Sequence, residues 1–165
     1  MKFFNINGGK KIEGNIEIQG SKNEAFMIIN ACLLTENETV IKNIPKILDI
    51  EILFDILKIL NVEINFLEKN EVKINPKNLS IEKINDDIFI EKFKKIRGGI
   101  SIIAPLLLKF EKITLHMPGG DKIGKRKLDT HIQGFIDFGA KVEYNFEKNF
   151  YQINFSNIKP SNIVL

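Results

Sequence analysis

The chain has 165 residues, 44% hydrophobic and 27% charged, with a formal net charge of +3 at pH 7. That length suits one domain with its own core, and so ordinary a composition excludes fibrous and disordered classes. No apolar run reaches the roughly 20 residues of a membrane-spanning helix, the first residues alternate too soon for a signal peptide, the lone Cys32 excludes an internal disulfide framework, and near-balanced charge excludes a general nucleic-acid surface. A soluble, cytoplasmic chain is expected, with no membrane and no nucleic acid as partner.

In chain order, residues 3–7 and 11–19 alternate as strands and have no counterpart later. Gly20-Ser21-Lys22-Asn23-Glu24 then opens an apolar helical run, with Ser21 and Glu24 forming an S-x-x-E capping box. A short strand over 39–42 follows, ahead of Pro45. Residues 47–60 read as a helix whose Glu51, Asp55 and Lys58 share one face among Ile, Leu and Phe. So wide an apolar face predicts a largely buried helix. Residues 62–67 and 71–75 flank Glu68-Lys69-Asn70 as a hairpin, and 76–90 form a connector in which Ile81, Ile84 and Ile88 are available for packing.

The second half repeats the first. Leu48-Asp49 and Leu128-Asp129 are 80 positions apart, as are Val62-Glu63 and Val142-Glu143. At a nearby offset the apolar run 28–34 resembles 102–108, and each run leads to a short strand, 39–42 or 112–115, followed by a proline. Residues 141–146 and 150–155 form a second hairpin around Glu147-Lys148-Asn149. One unit therefore reads helix, strand, helix, strand, turn, strand, over about 21–80 and again over about 90–156. Helices on one side of such sheets predict an α/β or α+β domain. The apolar end Ser161-Asn162-Ile163-Val164-Leu165 starts a strand that stops as it begins, as an interrupted chain would.

Chemistry concentrates at three places. Residues 118–131 crowd Gly119, Gly120, Gly124, Lys122, Lys125, Arg126, Lys127, Asp121, Asp129 and His131 into one connection. Glycines let backbone approach a ligand, and the cations supply charge-assisted donors for an anion. Lys22 and Asn23 occupy the first turn of a helix, where the dipole disfavours a cation unless an anion is bound beside it. Arg97, just before the apolar run at 100–108, can hold two oxygens of a phosphate or carboxylate at once. Each has a plainer reading as solvated surface, as His131 has as a packed surface residue. No metal site emerges: His116 and His131 are the two histidines, and nothing has zinc-ligand spacing.

Taken together and in this order, Gly20-Ser21-Lys22-Asn23, Arg97, Pro118-Gly119-Gly120-Asp121 and Arg126-Lys127-Leu128-Asp129-Thr130-His131 resemble the amino-terminal part of the enolpyruvyl transferases. Asn23 stands where the shikimate 3-phosphate branch typically has serine, so the resemblance is to the sugar-nucleotide branch. It implies transfer of an enolpyruvyl group from phosphoenolpyruvate to the 3′-hydroxyl of UDP-N-acetylglucosamine with loss of phosphate, the first committed step of peptidoglycan synthesis, without a cofactor. By the same resemblance, Lys22 holds phosphoenolpyruvate, Asn23 contacts the sugar nucleotide, Arg97 and Arg126 bind anionic groups, and Lys127, Leu128, Asp129 and Thr130 line the uridine side. Asp121 replaces the cysteine that fosfomycin alkylates and is the implied proton donor. A free aspartate has a pKa near ~3.9 against ~8.5 for cysteine, so acid work at neutral pH requires bound anions or desolvation to raise it.

The implied fold is an inside-out α/β barrel whose lobes each contain three βαβαββ units. This chain supplies about two units of one lobe in residues 21–165, while residues 1–20 belong with the missing second lobe. The expectation is an incomplete enzyme, inactive until a carboxyl-terminal lobe closes the cleft. Two other readings compete: a noncatalytic module binding RNA or another polyanion, and a degenerate interaction domain.

Overall fold

The computed structural model describes residues 3–119 and 127–162. Helix α1 (Lys22–Ala31) starts where Ser21 Oγ accepts a hydrogen bond from the Glu24 amide at 3.5 Å, the serine half of the expected capping box. After a 3₁₀ turn, strand β1 (Thr39–Ile41) leads into α2 (Leu48–Ile59), then β2 (Glu63–Phe66) and β3 (Val72–Asn75). Helix α3 (Asp87–Phe93) lies between the units. The second unit runs through α4 (Ile103–Phe110), β4 (Lys112–His116), α5 (Asp129–Asp137), β5 (Lys141–Asn145) and β6 (Phe150–Asn154).

The repeat holds at the level of topology. One sheet has the order β1-β3-β2 and the other β4-β6-β5. Within the first, β1 and β2 both pair antiparallel with β3, with Ile41 and Phe66 each opposite Val72. The outer strands therefore run parallel to one another, and α2 makes the long crossover that parallel strands require. The second sheet repeats this, with Lys112 and Lys141 each opposite Asn154.

Burial follows the expected apolar faces. In α2, Leu53, Ile56 and Leu57 are fully buried, while Glu51 and Lys58 are exposed. Ile29 and Leu33 meet this core from the first unit, and Ile102, Leu106, Leu115 and Ile153 from the second. The units dock through α1, which packs on a 3₁₀ turn over Gly98–Ile102. At that seam the buried Asn30 gives its Nδ2 hydrogen to Ser101 Oγ at 2.6 Å, and Lys109 Nζ reaches the Thr35 carbonyl at 3.2 Å.

The connector is better ordered than its composition suggested. A 3₁₀ turn (Glu82–Asn85) and α3 bury Ile84, Phe89 and Phe93, with the two phenyl rings stacked at 5.6 Å. Ile88 does not join them; it is 64% exposed. Pro105 divides the predicted helix over 100–108: it has no N–H for the carbonyl one turn earlier, and the segment is 3₁₀ up to Ile102 before α4 begins. The expected strands over 3–7 and 11–19 do not form. Residues 3–19 are exposed and make no ladder, because among the described residues no strand lies beside them to pair with.

One contact recurs in both units and fixes how the first helix of each begins. In the first unit Gly20 crosses the chain leaving β1 so closely that a Cβ on it would sit 2.1 Å from the Asn43 carbonyl oxygen. In the second, Gly119, on the chain leaving β4, crosses Lys94, and a Cβ there would lie 1.5 Å from the Lys94 carbonyl oxygen. Glycine stands on the helix side of the crossing in one unit and on the strand side in the other.

Candidate functional site

Two of the sequence's cationic candidates, Lys22 and Arg97, converge at the seam. A cavity of about 300 Å³ is lined by Lys22, Asn23 and Asp49 from the first unit and by Lys95, Arg97 and His131 from the second, over an apolar base that includes Phe26 and Ile100. Each unit contributes the start of its first helix and the start of its second. Gly98 permits the approach, since a Cβ there would come within 2.9 Å of the Phe26 ring.

Lys22 is the first residue of α1, and its Nζ lies 2.9 Å from Asp49 Oδ2. Asp49 is the second residue of α2, where free amides favour a carboxylate. Across the cavity, Arg97 Nη2 donates to the Lys127 carbonyl at 3.1 Å, tying the start of one helical segment to the chain entering α5. Lys127 Nζ is 3.9 Å from Asp129 Oδ2. The arrangement presents several donors around an open space with room for a small anion, which suits binding of a phosphate or carboxylate.

Of the candidate residues, Lys22, Asn23 and Arg97 line the cavity together. Leu128 does not: it is 2% exposed and caps the start of α5 from the core. Asp129 and Thr130 lie exposed on the first turn of that helix. Asp121 and Arg126, with Gly120, Lys122, Gly124 and Lys125, lie outside the described residues. Lys95, also on the cavity, was not singled out by the sequence reading, and two other residues of the cavity were given a plainer one. His131, read by default as surface packing, is on its wall, and Asp49 was singled out only as one end of the repeat.

Two larger cavities, of about 470 and 700 Å³, lie elsewhere. The first surrounds His116, whose Nε2 is 3.0 Å from Asn85 Oδ1 and so carries the hydrogen that this oxygen accepts. Burial holds the His116 imidazole below its ordinary range; a backbone bond at Ile84 opposes this and the nearby Lys94 charge adds to it. The second lies between α2 and the β2–β3 hairpin. Neither combines cations from both units. Among the described residues, no group of three His, Cys, Asp or Glu could hold a metal ion, and no helix is long and apolar enough to cross a membrane.

Known proteins share both the sequence and the fold. The family model described as EPSP synthase (3-phosphoshikimate 1-carboxyvinyltransferase) matches residues 6–164. The chain is 36% identical over 165 residues to a UDP-N-acetylglucosamine 1-carboxyvinyltransferase of Porphyromonas gingivalis, covering 100% of this chain and 38% of that protein. It is 41% identical over 145 residues to the protein of that name from Buchnera aphidicola subsp. Schizaphis graminum, covering 88% of this chain and 33% of the relative. The chain thus spans 38% or less of these curated relatives. The crystal structure of the enolpyruvyl transferase NikO from Streptomyces tendae superposes with a TM-score of 0.75 at 14% identity, over 93% of this chain and 32% of that one, a likeness of fold.

Proposed function

This chain belongs to the EPSP synthase (3-phosphoshikimate 1-carboxyvinyltransferase) family, and from that membership we propose that its seam cavity is half of an active site for enolpyruvyl transfer from phosphoenolpyruvate to the 3′-hydroxyl of UDP-N-acetylglucosamine. The observation that carries the proposal is the meeting of Lys22 and Asn23 with Arg97, contributed by different units, around one cavity. The sugar-nucleotide substrate is favoured by Asn23 and by the names of the relatives.

In the proposed reaction the sugar oxygen adds to carbon 2 of phosphoenolpyruvate as carbon 3 gains a proton and the hydroxyl proton is lost to a base. Carbon 3 then loses a proton as the bond from carbon 2 to the phosphate oxygen breaks, which restores the double bond and releases phosphate. Lys22 and Arg97 would offset negative charge on phosphate and carboxylate, a form of electrostatic stabilisation that gains strength as water is excluded. Asn23 would contact the sugar nucleotide. Arg126 would add a further cation, Lys127, Asp129 and Thr130 would lie toward the uridine with Leu128 reaching it only through its backbone, and Asp121 would deliver the proton.

Because the chain spans 38% or less of its relatives, we assign it one part of a lobe, with units over about 21–80 and 90–156 and residues 1–20 belonging with a second lobe that it does not contain. Alone it binds without turnover. The test is phosphate release from phosphoenolpyruvate with UDP-N-acetylglucosamine, measured for the chain alone, with a polypeptide supplying the carboxyl-terminal part, and with Asp121→Ala. Release that requires completion and disappears with Asp121→Ala supports the half-site. If completion yields no release but the chain binds RNA in a salt-sensitive way, the polyanion-binding reading replaces it. Since a carboxylate lacks the nucleophilicity of a thiolate, the completed protein keeps its activity after incubation with fosfomycin; time-dependent inactivation contradicts that assignment.

A further inference from the structure

We propose that Asp49 is a positioning residue for Lys22, a role that rests on reading the seam cavity as an enolpyruvyl-transfer site. Asp49 is the one carboxylate among the described residues that line the cavity, and it stands there beside Lys22, Lys95 and Arg97. An anionic substrate is repelled by it, so on grounds of affinity alone the site would be better without it. The geometry explains its presence. Lys22 is the first residue of α1, where the helix dipole pushes an ammonium away, whereas Asp49 is the second residue of α2, where the dipole holds a carboxylate.

The 2.9 Å contact turns the flexible lysine from its own helix toward the start of the next. An ammonium has three hydrogens, so one can point to Asp49 while two remain for the substrate's oxygens. Asp49 thereby fixes the direction of Lys22 without consuming its capacity to bind. With side chains 50% and 39% exposed, the pair is too solvated to matter much for folding, which separates the proposed role from a structural one. The repeat reinforces the assignment. In the second unit the cation before the first helical segment, Arg97, is likewise tied to the chain entering the second helix, through the Lys127 carbonyl at 3.1 Å. Each unit orients its cation across the same gap, one by a carboxylate and one by a backbone oxygen.

The experiment compares steady-state phosphate release by the completed protein carrying wild-type sequence, Asp49→Asn or Asp49→Glu, with phosphoenolpyruvate varied at saturating UDP-N-acetylglucosamine. Loss of orientation without loss of ground-state attraction predicts that Asp49→Asn lowers kcat by about 10-fold or more while the KM for phosphoenolpyruvate stays within about 3-fold or falls. Asp49→Glu keeps the charge and recovers part of kcat. A kcat for Asp49→Asn within about 2-fold of wild type, or a raised KM at unchanged kcat, overturns the role of Asp49 and leaves the site reading intact. Absence of turnover in the wild-type completed protein overturns the site reading and the role with it. An unchanged urea midpoint for Asp49→Asn is expected; a shift as large as the kinetic loss assigns the residue to the fold instead.

Discussion

Replacing Gly20 by alanine tests the close crossing that sets the start of α1. The new Cβ falls 2.1 Å from the Asn43 carbonyl oxygen, and real Cβ atoms keep at least 3.0 Å, so the backbones must part by about 0.9 Å, 3.0 less 2.1. The obstacle is main chain, and Asn43 is itself held at φ 57°, so it cannot swing away as a side-chain tip would. Overpacking of this kind costs about 1–3 kcal/mol. Alanine recovers about 0.4–1 kcal/mol by restricting the unfolded chain, which leaves a net loss of about 1–2 kcal/mol, or a Tm lower by roughly 2–8 °C for a chain of this size.

Two companion variants convert this value into an order. Gly119→Ala must clear about 1.5 Å, 3.0 less 1.5, and loses more than Gly20→Ala. Gly134, inside α5, has open space where a Cβ would stand, with nothing within 4 Å, and alanine there gains up to about 1 kcal/mol of helix propensity. Urea unfolding followed by far-ultraviolet circular dichroism should rank stability as Gly134→Ala, wild type, Gly20→Ala, Gly119→Ala. A Gly20→Ala protein as stable as wild type refutes the steric argument. The displacement also reaches the site, because Gly20 precedes Lys22 by two residues and the 2.9 Å bond to Asp49 has less slack than the movement required.

Other outcomes follow from burial. The Cys32 thiol, 6% exposed and raised in pKa chiefly by burial, should react with a thiol reagent far more slowly in the native protein than in urea; equal rates contradict its place in the core. Phe89→Ala removes a ring that is 1% exposed and stacked on Phe93, and should cost about 3–5 kcal/mol by urea titration. A loss under about 1 kcal/mol would mean that the connector is not part of the core. For His116 the folded pKa lies below the ordinary 6.5, so the unfolded chain binds the proton first as pH falls. Stability is therefore intact above about pH 6.5 and declines as pH drops through the folded value, and His116→Gln should show a smaller decline than wild type between about pH 7.5 and 5.5. Equal declines refute the linkage.

Local pattern carried far in this sequence. The two hairpins, α2 with its buried stripe, the start of α1 at Ser21 and the duplicated order of elements were legible because each reflects the periodicity or turn chemistry of its own segment. What pattern cannot carry is the partner. Ile84 and Ile88 look alike in sequence, yet one is 3% and the other 64% exposed, because the 3₁₀ turn over Glu82–Asn85 faces Ile84 to the core while Ile88 falls on the outer side of α3. The strands expected over 3–7 and 11–19 have the right alternation and no neighbour to pair with among the described residues. At the cavity, Lys22 and Arg97 were legible from charge at helix starts and Asn23 from the resemblance alone, whereas Asp49 gains its meaning only when α2 is laid against α1.

The mirrored glycines have an evolutionary consequence. At each crossing the obstacle to a Cβ is a carbonyl oxygen of the facing chain, which every residue type carries, so no substitution on that chain makes room for a side chain. Each glycine is therefore held in place for as long as the two backbones cross at this distance. After the duplication that the repeat records, drift at either position has to wait for a backbone displacement in its own unit.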